Sequence, residues 1–193
     1  MVGKSRGFWT YFLPHLKKVF PQLRRVTVEQ VMGIVNHVQP SLIRTEADEV
    51  TYNLHIILRF EIEKALIEGS LKVADVPKVW NAKVKEYLGV TVPDDRRGVL
   101  QDVHWSGGMI GYFPTYTLGN LYAAQFYATA KKQIRGLESR FAKGDFAPLH
   151  TWLNNHVHAH GRRYHAATLV KRVTGRPLSS EDFISYLDRK FTG

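Results

Sequence analysis

Between Glu46 and Gly69 the apolar residues Val50, Leu54, Ile57, Leu58, Ile62, Ala65 and Leu66 return at helical spacing, in a run too long to be a strand. The spacing predicts a helix over 46–68 that sits at the centre of a core, with other helices around it. Thr45 followed three residues later by Asp48 forms an approximate capping box at its start, and Gly69 is placed to end it.

The rest of the chain supplies the surrounding helices. Phe8, Phe12, Leu16 and Phe20 form one face of an aromatic-rich pattern over 7–20 that Pro14 breaks. Thr27 is placed as the N-cap of a helix over 28–38, which Pro40 ends. Val79, Trp80, Val84, Tyr87 and Leu88 mark a further helix over 75–88, after which Gly89 and Pro93 open an irregular Gly-rich loop at 90–112. A long helix over 115–135 follows, then shorter ones over 137–142, 146–160, 166–173 and 180–191, separated by Gly144, Gly161 and Gly175. The fold class is all-α. With no repeat, low-complexity segment or linker, the 193 residues are read as one piece, 1–193.

Chemistry concentrates between Gly98 and Gln125. Gly98, Gly107, Gly108 and Gly111 allow positive φ and close backbone approach, and Pro114 turns Phe113 away from helix. The loop thereby delivers His104 and Tyr112 just ahead of the long helix.

Gly98-x-x-Gln101-Asp102-x-His104-Trp105, with Gly-Tyr-Phe-Pro-Thr-Tyr at 111–116, is similar to the C-terminal signature of the carboxypeptidase Taq family of zinc metallocarboxypeptidases. Ile43-Arg44-x-x-Ala47-Asp48 resembles a second motif of that family, and the stretches at 2–6 and 173–180 are also similar to it. The resemblance runs over essentially the whole chain but covers only the family's C-terminal portion. It implies a multi-helical, cleft-shaped, cytoplasmic enzyme, usually a homodimer. Such an enzyme removes single residues from peptides with a free C-terminus. Zinc and the general base then come from the missing N-terminal part, and this chain is expected to be inactive alone.

A helix carrying His-Glu-x-x-His would put two histidines and a base on one face toward a metal, and no His here is followed by Glu. No metal ligand is therefore assigned within the chain. His156 and His160 share a face of the 146–160 helix and read as a polar surface, while His55 reads as a core-edge histidine. His104, taken by itself, is a structural histidine packed beside Trp105; the resemblance makes it a donor to the substrate or the tetrahedral intermediate. Tyr112 is by default a buried phenol, and its functional reading is donation to a developing oxyanion, with Tyr116 in reserve. Arg44 is by default an ion-pair residue, with Glu46 or Asp48 as partner. A carboxypeptidase also needs a planar guanidinium for the terminal carboxylate, and the motif assigns that to Arg44, with Arg97 and Arg96 behind it. Gln101 and Asp102 are expected to hold the loop and orient His104, and Asp48 to support the Arg44 region.

Composition narrows the alternatives. The chain has no cysteine, which removes disulfides and thiolate metal sites and fits a reducing compartment. No 18-residue apolar stretch suits a membrane span. The formal charge of +10 raises nucleic-acid binding, but Lys and Arg are spread from Lys4 to Lys190 instead of forming one stripe. The alternative to the enzyme reading is a non-catalytic helical protein-interaction module derived from the same fold.

Overall fold

The structure, a computed structural model, describes residues 1–192. Helix-spaced apolar positions become helices throughout: α1 (Arg6–Val19), α2 (Val28–Val35), α3 (Tyr52–Ile67), α4 (Val76–Leu88), α5 (Pro114–Gln133), α6 (Leu137–Phe141), α7 (Ala147–His156), α8 (Ala166–Thr174) and α9 (Glu181–Phe191), with no strand among the described residues. Their contacts gather into two compact units, 37–119 and 1–36 with 120–193. The boundary falls inside α5.

The unit 37–119 is built on α3 and α4. Leu58 and Ile62 of α3 pack with Val76, Trp80, Val84 and Leu88 of α4 into its core, and full burial of each such side chain contributes about 2 kcal/mol. The loop at 89–112 returns to this core. Gly98 is needed there for space and not for its φ, since a Cβ would stand 2.7 Å from Val92 Cγ1 and 3.1 Å from the Asp94 carbonyl. Beyond it, Trp105 meets Trp80 edge-on at 5.9 Å.

α3 begins at Tyr52 and not at Glu46. Asp48 is the reason. Its Oδ1 accepts from the amides of Val50 and Thr51 at 2.8 and 2.9 Å, and its Oδ2 accepts from Gln39 N and Thr51 Oγ1 at 3.0 and 2.9 Å. It therefore holds the turn that leads into α3, which has no side-chain cap of its own, and is not the far end of a box opened by Thr45; Arg44–Glu46 is left as a 3₁₀ turn. Burial alone would raise the Asp48 carboxyl, and these donors more than offset it, so the group stays below its ordinary value.

In the other unit, α1 continues through Pro14 where the sequence suggested a break. The ring removes one backbone hydrogen bond of the helix without ending it. Phe8 stacks on Phe12 at 5.2 Å, and Leu13 is the buried residue, with Phe12 and Phe20 left exposed. Gly7 lets α1 lie against α6, because a Cβ there would meet the Glu138 carbonyl at 2.6 Å. Ala130, Leu137, Phe141, Leu149 and Trp152 form this unit's core. α7 stops at His156, and a separate 3₁₀ turn holds His158–His160. His156 and His160 thus do not share a helical face.

Candidate active site

The unit 37–119 gathers the chemical residues of the Gly-rich loop around one carboxylate. Asp102 Oδ1 accepts from Arg44 Nε and Nη2 at 3.1 and 2.6 Å, and its Oδ2 accepts from Arg59 Nε and Nη2 at 2.9 and 2.6 Å. The side chains of Arg44, Arg59 and Asp102 are 8%, 0% and 11% exposed, so the three form a desolvated ion cluster. Arg44 Nη1 donates to Tyr52 Oη at 3.1 Å and Arg59 Nη1 to the His55 carbonyl at 2.7 Å. Aromatic faces enclose both cations, with Tyr116 5.0 Å from Arg44 and Trp80 4.5 Å from Arg59.

Titration follows from this packing. Burial pulls Arg59 down to about 10 although Asp102 favours its charge. For Arg44 burial acts in the same direction, but the hydrogen bonds and charge of Asp102 win and the guanidinium is raised. Burial would raise Asp102, and the two guanidiniums hold it below the usual carboxylate range instead. His55 is lowered to about 4, first by burial and then by the charges of Arg59 and Arg44, and is neutral at pH 7.

His104 is buried with its Nε2 3.0 Å from Tyr116 Oη, and its ring centroid lies 4.4 Å from that of Phe113. Its Nδ1 is buried without a hydrogen-bond partner and stands 3.9 Å from Asp102 Oδ1, beyond bonding range. Tyr112, whose ring is 5.7 Å from that of His104 and 5.6 Å from that of Tyr116, is 46% exposed. Gln101 ties the loop down, accepting from Arg44 N at 2.9 Å and donating to the carbonyls of Leu42 and Gly98 at 3.0 and 3.1 Å.

Several sequence expectations change here. Arg44 pairs with Asp102 and not with Glu46 or Asp48. Asp102 makes no hydrogen bond to His104, because both its oxygens are taken by guanidiniums. Asp48 binds Gln39, Val50 and Thr51 in the turn before α3 instead of Arg44, and Arg97 is in an exposed pair with Asp94 at 2.7 Å. Tyr112 is not a buried phenol. Two participants were missed, Arg59 and Glu63, the latter 3% exposed and accepting from Trp105 Nε1 at 2.8 Å. Their signal was present: His55, Arg59 and Glu63 put polar groups at i, i+4 and i+8 of the helix, one continuous stripe.

Among the described residues, no group of three or more His, Asp or Glu side chains is placed to hold a metal ion. The described residues do not by themselves form a three-ligand metal site. What they offer is a phenol open to solvent, a His–Tyr hydrogen bond next to it and a buried cation over the ring of Tyr116. Such groups suit an enzyme in which negative charge develops on a bound oxygen.

The chain belongs to the carboxypeptidase Taq (M32) metallopeptidase family, whose model matches residues 1–191. It is 51% identical over 191 residues to thermostable carboxypeptidase 1 of Thermus thermophilus, covering 99% of this chain and 38% of that protein. To carboxypeptidase 1 of Bacillus subtilis it is 40% identical over 192 residues, again covering 99% of this chain and 38% of the relative. The crystal structure of the M32 carboxypeptidase of Deinococcus radiodurans R1 matches with a TM-score of 0.95 at 46% identity, over 98% of this chain and 38% of that one. The chain thus spans about 38% of the length of the curated relatives it matches.

Proposed function

We propose that residues 1–193 are the C-terminal portion of the catalytic domain of a zinc metallocarboxypeptidase, which hydrolyses the C-terminal peptide bond of peptides with a free C-terminus. The whole enzyme is a cytoplasmic homodimer. Its zinc takes all its ligands from outside this chain, and the chain alone is inactive. The observation that carries this reading is the His104–Tyr116 bond of 3.0 Å, set beside an exposed Tyr112 and a buried Arg44 within one unit. Membership of the M32 family supports it.

In this reading Tyr112 presents its O–H to the carbonyl oxygen of the scissile bond, and His104 with Tyr116 forms the polar wall behind that oxygen. Arg44 receives the terminal carboxylate. Asp102 binds Arg44 from its Nε and Nη2 side and Tyr52 takes one N–H of Nη1, which leaves the other end of the guanidinium fork for a substrate oxygen.

The test is release of the C-terminal residue from a blocked dipeptide by the zinc-loaded, full-length enzyme. Tyr112→Phe lowers kcat by about 10²–10³ with little change in KM, the cost of one lost oxyanion donor. Arg44→Lys raises KM for a peptide with a free C-terminus more than it lowers kcat. A Tyr112→Phe enzyme with wild-type kcat removes Tyr112 from catalysis.

A further inference from the structure

His104 sits between two anchored neighbours, and both anchors lie on α3. Asp102, two residues before it, is held by Arg59, and Trp105, directly after it, is held by Glu63. Arg59 and Glu63 are one turn apart on the same face of the helix. We infer that Arg59 and Glu63 form a two-point clamp that fixes the orientation of His104, making them positioning residues for the chemistry proposed above. The inference rests on that reading only where it concerns rate; the clamp itself is a statement about geometry.

Glu63 carries the argument furthest. It is 3% exposed, one of its oxygens accepts only the neutral indole N–H of Trp105, and the other is buried with no partner. A buried carboxyl satisfied by one neutral donor costs more in desolvation than the bond returns, so stability does not account for its presence. What the bond achieves is a fixed Trp105. That ring then stands edge-on to Trp80 at 5.9 Å and to Phe113 at 6.0 Å, and Phe113 in turn packs on the ring of His104 at 4.4 Å. Arg59 does the corresponding work upstream. Its guanidinium is fully buried and bound to Asp102 through two nitrogens, a geometry that lysine does not reproduce. Pinned on both sides, His104 has little freedom to leave Tyr116 although its Nδ1 has no partner of its own.

The test uses the full-length, metal-loaded enzyme and two readouts, kcat and KM on a blocked dipeptide and the His104–Tyr116 separation in crystals of each variant. Glu63→Leu and Trp105→Phe release the same anchor by different chemistry. Each is expected to lower kcat about 10- to 100-fold with KM nearly constant, as loss of an orienting partner does, and the double variant is no slower than the worse single one. Glu63→Gln keeps a carbonyl acceptor for Trp105 and retains most of the rate. In Glu63→Leu crystals His104 moves off Tyr116. If His104 stays 3.0 Å from Tyr116 in both variants, the clamp is overturned. If His104 moves in those crystals while His104→Ala keeps wild-type kcat, the clamp stands and the catalytic reading of His104 falls.

Discussion

Replacing Asp102 by asparagine keeps the shape of the side chain and removes the one negative charge that two guanidiniums share. Four N–H···O bonds of 2.6 to 3.1 Å converge on that carboxylate, and the amide answers one of the two cations with a donor where it had an acceptor. With the side chains of Arg59 and Arg44 at 0% and 8% exposure, water cannot take over. Breaking a buried pair from one side costs about 3–5 kcal/mol, a large part of the 5–15 kcal/mol available to a typical domain. In a urea titration at pH 7, with a slope of about 2 kcal/mol per molar, the midpoint falls by roughly 1.5–2.5 M. Adding Arg59→Met to Asp102→Asn removes one of the stranded cations, so the double variant is less destabilised than the sum of the singles. A loss of less than about 1 kcal/mol, the value for an exposed ion pair, would refute the desolvated cluster.

Acid acts on the same unit through His55. An unfolded histidine takes its proton near pH 6.5, whereas in the fold the imidazole stays neutral down to about 4. Stability from this residue is therefore full above pH 6.5 and is lost as pH falls toward 4, by about 3 kcal/mol in all; His55→Gln should flatten that part of a plot of urea midpoint against pH. Gly98→Ala forces a methyl to within 2.7 Å of Val92 Cγ1, and a drop in thermal midpoint corresponding to about 1–3 kcal/mol is expected. Arg97→Ala, which breaks only the exposed contact to Asp94, should leave both the urea midpoint and KM unchanged; a rise in KM would restore Arg97 to the substrate site.

Local rules read much of this fold from the sequence. α4 and α8 lie within one residue of their expected ends at each terminus, because apolar period, a first-turn proline in α4 and a following glycine agree there. The start of α3 was misplaced since Thr45 and Asp48 match a capping pattern while the carboxylate takes donors from Gln39, Val50 and Thr51. A residue-spacing rule does not reveal which donors a side chain will find across a turn. The site shows the same division. Gln101, Asp102, His104 and the tyrosines stand together in one segment and were singled out, but the partner of Arg44 lies 58 residues away, beyond any periodicity. Arg59 and Glu63 were passed over because the apolar residues of α3 dominate its pattern, although their fourfold spacing from His55 marks a second, polar stripe.

The most direct measurement is kcat of the metal-loaded, full-length enzyme for a blocked dipeptide, in the wild type and in His104→Ala, with folding of both checked by circular dichroism. Residues of this chain acting on the bound carbonyl predict a fall of about 100-fold or more at unchanged secondary structure. Equal rates in the two proteins would mean that the Gly-rich loop holds the fold together and takes no part in the reaction.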